Sequence, residues 1–318
     1  MHPMLARLQK SLVALLLVAA AFWAAILAQH GHPGWGAAGA ALVLLGYALF
    51  LAIEFAALYV VQEDGSAPRP RVIELLRAWF GEILTAPRVF FWRQPFRAQA
   101  ELDHIPESAV GQHGVVLVHG FVCNRGLWNP WMRELRARDV PFVAVNLEPV
   151  FGSIDHYPRA IEAAVMKLEK ATAARVLLVG HSMGGLAIRA WLRQFGSDTR
   201  VRRVITIGTP HQGTWLARYG HTMNSRQMRQ RSPWLAALAA AEPASRASLF
   251  TCFYGHCDNI VFPASAGTLP GAENVHVPVT AHVHMAFQPV VFAEVRRWLS
   301  AETAAPDPMS DTLEPAAR

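Results

Sequence analysis

Two long apolar runs dominate the N-terminal part of the chain. Hydrophobic side chains fill 11–28 and again 36–61, where Glu54 is the only side chain expected to carry charge. A helix of about 20 apolar residues crosses a hydrocarbon core of about 30 Å, so each run is long enough, or nearly so, to span a bilayer. The segment 29–35 between them contains proline and glycines, which break helices. The pattern predicts a membrane-anchoring helical hairpin within residues 1–61.

The placement of basic residues predicts how this hairpin is oriented. Arg7 and Lys10 precede it and Arg69, Arg71 and Arg77 follow it, whereas the connecting segment has neither Lys nor Arg. Basic residues mark the cytoplasmic side, so we expect a two-span protein of the inner membrane whose C-terminal domain faces the cytoplasm. The alternative for the first run is a secretory signal peptide, which would leave the second run as a lone anchor.

An acidic residue inside a predicted span has two interpretations. Intramembrane acids are costly to bury and often take part in a mechanism. A structural glutamate that is protonated or faces the partner helix is the simpler interpretation, and we expect it for Glu54.

Residues 62–101 combine a polar linker with an amphipathic segment. The linker extends to Arg71, and apolar residues then recur at helical spacing. Aromatic and basic residues follow together: Arg88, Phe90, Phe91, Trp92, Arg93, Phe96 and Arg97. Such a segment can lie on a membrane surface or pack against the next domain, and the pattern fits both.

From residue 102 to residue 300, short β-branched runs alternate with helical patterns. This alternation predicts an α/β domain with a mostly parallel sheet flanked by helices. The segment 213–247 interrupts it with polar residues and an Ala-rich helix, and is a possible lid. The tail 301–318 is rich in Pro, Asp and Glu, which predicts disorder. The buried strands are predicted at Val115–Val118, Phe142–Val145, Val176–Val179, Val204–Ile207 and Leu249–Tyr254, with another around 275–279.

Charge and cysteine content exclude several functions. The formal charge is +6, but the arginines are scattered and no nucleic-acid-binding motif accompanies them, so we expect no nucleic-acid partner. Cys123, Cys252 and Cys257 form neither a disulfide framework nor a zinc-binding pattern. Cys252 and Cys257 could pair in an oxidising compartment, although two ordinary thiols are the simpler interpretation.

The strongest chemical signal is the pentapeptide Gly180-His181-Ser182-Met183-Gly184. It follows a predicted strand and precedes a helical pattern, which is the setting of a G-x-S-x-G nucleophile elbow. The glycines leave room for strand and helix to approach. Ser182 would then be the nucleophile, and the N–H of Met183, at a helix N-terminus, would stabilise an oxyanion.

The segment His119-Gly120-Phe121 follows an earlier predicted strand, where a second oxyanion donor is required. We expect that donor to be the backbone N–H of Phe121. Removing one such donor typically costs roughly 3 to 4 kcal/mol of transition-state stabilisation.

A serine nucleophile needs a base, and the base needs an orienting acid; in this arrangement they follow the serine in the order acid, then histidine. Asp258 lies just past a predicted strand and is the acid we expect. His282 and His284 both qualify as the base, and we choose His284 because it directly precedes an apolar helix start at Met285. A metal role for the two histidines lacks an acidic or Cys partner at ligand spacing.

The stretch from about 115 to 298 resembles bacterial α/β-hydrolase lipases and esterases. The resemblance rests on the elbow and on three further segments in family order: His119-Gly120-Phe121, Gly208 to Thr214 and Asp258-Asn259-Ile260-Val261. It implies an α/β-hydrolase fold in which Ser182, Asp258 and His284 cleave an ester through an acyl-enzyme, without metal or organic cofactor.

The resemblance leaves the substrate open. Together with the anchor it favours hydrolysis of lipid or acyl esters at the bilayer. A thioesterase or an acyltransferase would use the same three residues, and a non-catalytic binding module on the same fold is the alternative from another class. The sequence does not fix the oligomeric state.

Overall fold

The computed structural model describes residues 4–61, 65, 67–196 and 198–300. The predicted tail 301–318 lies outside these residues. So do residues 62–64 and 66 of the predicted linker. The described N-terminal part is mainly helical. It consists of α1 (Met4–Gln29), α2 (Pro33–Val61), α3 (Val72–Pro87), a π-helix (Arg88–Arg93) and α4 (Gln94–Phe96).

A six-stranded sheet forms the centre of the C-terminal domain, in the order β2-β1-β3-β4-β5-β6, and all of its strand pairs are parallel. This confirms the predicted α/β fold. The last strand begins two residues before the predicted 275–279 and ends at His276, since Pro278 has no N–H to extend the ladder. The strands are β1 (Val115–Val118), β2 (Phe142–Ala144), β3 (Val176–His181), β4 (Val201–Ile207), β5 (Phe250–Tyr254) and β6 (Glu273–His276).

Helices cover both faces of this sheet. The α-helices are α5 (Asn129–Ala137), α6 (Pro158–Thr172), α7 (Met183–Phe195), α8 (Met223–Gln227), α9 (Pro233–Ala240), α10 (His282–Met285) and α11 (Pro289–Ser300). Short 3₁₀ helices occupy Glu107–Ala109, Arg125–Trp128, Ile154–His156, Asp198–Arg200, Trp215–Tyr219, Ala244–Leu249 and Ala264–Gly267.

Alternate strand residues face opposite sides of the sheet, which divides the core in two. Val116 and Leu178 pack with α6 and α7 on one side, whereas Leu117 and Leu177 pack with α5 and α11 on the other. Cys252 is a free, buried thiol in the first cluster, and Cys257 is a free thiol buried beside α2 and α3.

α1 and α2 match the two predicted spans. With 26 and 29 residues they are about 39 and 44 Å long, more than the hydrocarbon core of a bilayer requires. Both helices are candidate spans by their length and apolar composition. An N-terminal signal sequence can have the same length and composition. Most of their large apolar side chains are exposed.

The C-terminal half of α2 and the length of α3 pack onto the C-terminal domain. Phe55 and Leu58 of α2 are buried in one cluster with Leu75 of α3 and with Phe262 and Ala281. Of the two arrangements that the amphipathic pattern allowed, the structure therefore shows α3 packed against the domain. This packing brings the N-terminal helices to the carboxyl edge of the sheet, where the predicted catalytic residues lie.

Candidate active site

Ser182 occupies the sharp turn between β3 and α7. Its backbone angles, φ 55° and ψ −129°, are strained for a residue with a side chain. The turn needs glycines on both sides, because a Cβ on Gly180 would lie 2.7 Å from the Gly185 nitrogen and one on Gly184 would overlap the Val118 carbonyl. The structure thus has the strand–turn–helix geometry that the elbow sequence predicts.

The loop after β1 is fixed by a buried histidine. His119 Nδ1 donates to the Gly120 carbonyl at 2.9 Å, and its Nε2 accepts the Leu147 N–H at 3.0 Å. These bonds require the neutral ring, and burial lowers the pKa of His119 to about 4. A Cβ on Gly120 would lie 2.7 Å from the Ser182 Cβ, so glycine lets this loop approach the serine. Phe121 is thereby held beside Ser182.

Asp258 and His282 form a buried pair. His282 Nδ1 lies 3.0 Å from both carboxylate oxygens of Asp258, and the side chains are almost inaccessible to solvent. One Asp258 oxygen also accepts the N–H groups of Ile260 and Val261, at 2.9 and 2.8 Å. The carboxylate therefore has fixed donors on both sides and orients the imidazole.

The structure does not bring His284, the base predicted from the sequence, next to Asp258. Its Nε2 lies 2.8 Å from Gln288 Nε2, and its ring packs on Gly81 of α3, where an added Cβ would come within 2.5 Å of Nδ1. Both histidines belong to α10, and side chains at i and i+2 of a helix point in different directions. Only His282 can therefore face Asp258. The helix begins at His282 and not after His284 as predicted.

The surroundings of His282 favour its protonation. Burial alone disfavours the charged ring, but the charge and hydrogen bond of Asp258, with smaller contributions from Glu82 and Glu54, raise its pKa above 6.5. The neighbouring His181 behaves in the opposite way, because burial and then the charge of His282 lower its pKa to about 3. His181 Nε2 lies 3.2 Å from the His282 carbonyl and supports the backbone of His282.

Two acidic residues outside the C-terminal domain hold the same loop. Glu82 of α3 accepts the N–H groups of Val283 and His284, at 3.0 and 2.9 Å. Burial raises the pKa of Glu82 to about 7, against the effect of these two donors. Glu54 of α2 accepts a 2.7 Å bond from Asn259. Asn259 in turn accepts the His282 N–H at 3.1 Å.

Sequence reasoning did not find these supporting residues. For Glu54 we expected a structural role, with the side chain either protonated or facing the partner helix, and not the bond to Asn259 that the structure shows. Glu82 had a signal in the sequence, because it falls on the buried stripe of α3 with Leu75, Ala78 and Ala86. A charged residue at such a position needs a partner. The sequence does not show that this partner lies 200 residues away.

A cavity of about 530 Å³ opens above Ser182, within the usual size range of small-molecule sites. Ser182 and His282 line its base with Phe121. Its walls are mainly apolar and come from the N-terminal helices: Tyr47, Phe50, Leu51, Ala86, Pro87, Phe90 and Phe91. None of its lining residues lies in the segment 213–247. That segment packs onto the domain through Leu235 and Leu238, and its role as a lid stays a prediction.

Comparison with known proteins identifies the family of the chain. The model of the alpha/beta hydrolase family matches residues 115–316. The chain belongs to the alpha/beta hydrolase family. No curated protein matches the sequence of this alpha/beta hydrolase significantly.

Solved structures support the fold of this hydrolase. The mature lipase BlEst2 of Bacillus licheniformis superimposes with a TM-score of 0.53 at 17% identity, over 59% of this chain and 92% of that one. Aspergillus fumigatus lipase B gives 0.52 at 20% identity, over 60% of this chain and 54% of that one. This hydrolase thus spans about half the length of the fungal lipase.

Proposed function

We propose that this alpha/beta hydrolase is a membrane-bound serine esterase that cleaves carboxylic esters with apolar acyl chains. One observation carries the proposal: Ser182 and the His282–Asp258 pair lie at the base of an apolar cavity walled by α2, itself a candidate membrane span. A nucleophile with an oriented base indicates covalent catalysis, and an apolar cavity fits an acyl chain.

The mechanism follows from these positions. His282 accepts the Ser182 hydroxyl proton while the serine oxygen attacks the ester carbonyl, and Asp258 stabilises the imidazolium that forms. The N–H groups of Phe121 and Met183 stabilise the oxyanion. His282 then protonates the leaving alcohol. A water, deprotonated by His282, hydrolyses the acyl-enzyme and regenerates the Ser182 hydroxyl.

The position of α2 supports a substrate that arrives from the bilayer. Phe50 and Leu51 line the cavity, and Ile53, on the same stretch of α2, is largely exposed. An acyl chain in the hydrocarbon core could move along this helix to Ser182 without crossing water. The basic residues on both sides of the hairpin support a two-span protein of the inner membrane with its catalytic domain in the cytoplasm.

The nucleophile is tested by covalent labelling. A fluorophosphonate probe is expected to label the full-length protein in detergent and to leave Ser182→Ala unlabelled, because only an activated serine reacts. Ser265→Ala, which alters a serine outside the cavity, is the matched control and should label as wild type does. A folded wild type that does not react would favour a non-catalytic binding module.

The acyl preference is tested with a series of esters that share one alcohol. In mixed micelles, kcat/KM is expected to rise from acetyl through octanoyl to palmitoyl esters, because each buried methylene contributes about 0.8 kcal/mol. Leu51→Gln, which places an amide in the cavity wall, should reduce the rate for palmitoyl esters more than for acetyl esters. Hydrolysis confined to short, water-soluble esters would contradict the acyl-chain proposal.

The pH profile tests the base. His282 must be neutral to accept the proton, and its pKa is raised, so kcat/KM is expected to fall with decreasing pH through a midpoint above 6.5. Asp258→Asn removes the largest contribution that raises this pKa and should move the midpoint to lower pH while reducing the rate. A wild-type midpoint below 6.5 would disagree with the buried His282–Asp258 pair.

A further inference from the structure

A hollow of about 470 Å³ outside the catalytic cavity carries an excess of positive charge. We call it the basic hollow. Trp92 and the buried Asn129 line it together with four arginines: Arg88, Arg93, Arg97 and Arg133. Arg133 pairs with Glu101 at 2.6 Å. No Asp or Glu within the described ranges forms an ion pair with the other three. The hollow therefore holds positive charge without a matching anion from the described protein.

The π-helix explains how these arginines come together. Hydrogen bonds in a π-helix join residues that are five apart. The Gln94 N–H, for example, donates to the Val89 carbonyl. Arg88 and Arg93 are five residues apart, so one wide turn places them on one side, and Arg97 follows four residues later. π-Helical turns are uncommon and occur frequently at functional sites.

The guanidinium of Arg93 is only partly satisfied. Its guanidinium lies 5.1 Å from the centre of the Phe287 ring, and its Nη1 is buried with no hydrogen-bond partner among the described residues. Burial, followed by repulsion from Arg133 and Arg88, lowers the pKa of Arg93. A buried cationic donor without an acceptor is costly, and an anion in the hollow would remove that cost.

The surroundings of the hollow belong to the membrane side of the molecule. Trp92 and Phe96 are 59% and 44% exposed, with ring centres 5.7 Å apart. Lys10 of α1 lies over the Phe96 ring, and Gln9 bonds Gln94 at 2.8 Å, so the start of the first candidate span meets this segment. Exposed aromatic residues beside basic ones at the end of a span are typical of the headgroup region.

We propose that the basic hollow binds the phosphate headgroup of an anionic phospholipid. The guanidinium groups of Arg88, Arg93 and Arg97 would face the phosphate, for which Arg geometry is well suited. The exposed rings of Trp92 and Phe96 would lie among the upper acyl segments of the same leaflet. Charge complementarity selects an anionic lipid over a zwitterionic one, and the adjoining span selects a lipid over a free anion.

The basic hollow and the substrate cavity are both lined by this π-helix. Phe90 and Phe91 line the cavity above Ser182, whereas Arg88 and Arg93 line the basic hollow. A lipid bound by the arginines would therefore hold one wall of the cavity in place. The site depends on the basic hollow alone, so it can be tested without any assumption about the reaction.

The test is lipid retention by the full-length protein in neutral detergent, measured by native mass spectrometry. The protein is offered equal amounts of phosphatidylglycerol and phosphatidylcholine. Wild type is expected to retain phosphatidylglycerol preferentially. Arg88→Gln with Arg97→Gln should weaken its retention roughly fivefold per arginine, about twenty-five-fold for the pair. Arg159→Gln with Arg226→Gln, which neutralises two exposed arginines outside the hollow, is the matched control and should behave as wild type.

Three results would overturn the proposal. The first is unchanged phosphatidylglycerol retention in the Arg88/Arg97 double variant. The second is an equal loss in the Arg159/Arg226 control, which would indicate a general effect of net charge. The third is displacement of the lipid by millimolar inorganic phosphate, which would indicate a site for free anions. Thermal unfolding curves that match wild type verify that both double variants are folded. Fluorophosphonate labelling is a separate readout, and its failure in wild type would contradict the esterase proposal without affecting the lipid result.

Discussion

Replacing His282 by alanine is expected to lower kcat for a long-chain ester by about a millionfold, as the loss of a triad histidine does in other serine hydrolases. The reason is that Ser182 keeps its position but loses the group that accepts its proton. The measurement is steady-state hydrolysis in micelles, with fluorophosphonate labelling as a second readout, because labelling requires the same base. Both signals should disappear in His282→Ala.

His284→Ala is the matched control, two residues along the same helix. Its ring packs on Gly81 and lies beside Gln288, so its loss should reduce stability and leave kcat within about tenfold of wild type. A thermal unfolding curve separates the two effects. If His284→Ala were inactive while His282→Ala remained active, the structural assignment of the base would be wrong and the sequence-based choice would be restored.

The uncertainty between these histidines shows where sequence reasoning about the site ends. The elbow around Ser182 is local, since glycines, strand and helix are all within a few residues, and its geometry followed from the pattern. Asp258 followed from its place after a strand. The choice between His282 and His284 depended on where a four-residue helix begins. The first residue of a helix is uncertain by one or two positions even when the helix itself is evident.

The fold was predictable to a similar degree. Buried parallel strands have continuous apolar sequences, so β1 to β5 were found within a few residues of their bounds. The role of α2 was not predictable, because its apolar sequence describes a membrane span equally well whether or not one face packs on a domain. Glu54 interrupts that run, and its bond to Asn259 depends on a contact across 205 residues. Sequence patterns of one helix contain no information about such a partner.

Glu82→Gln is expected to reduce kcat about a hundredfold without loss of the fold, the scale of effect that a small displacement of a catalytic group produces. The carboxylate accepts the N–H groups of both Val283 and His284, whereas an amide presents its NH₂ to one of them. The loop that carries His282 then loses one of its two fixed points on α3. Glu82 would thus be a positioning residue, acting on the base through the backbone.

The pH profile distinguishes this role from a purely structural one. Glu82 helps to raise the pKa of His282, so Glu82→Gln should move the acidic midpoint of kcat/KM to lower pH. Glu82→Asp keeps the charge but shortens the side chain, and should lower kcat while leaving the midpoint close to that of wild type. Glu134→Gln, which removes an exposed glutamate paired with Arg138, is the control and should change neither quantity. If Glu82→Gln lowered the melting temperature alone, with kcat and midpoint unchanged, α3 would support the fold but not position the base.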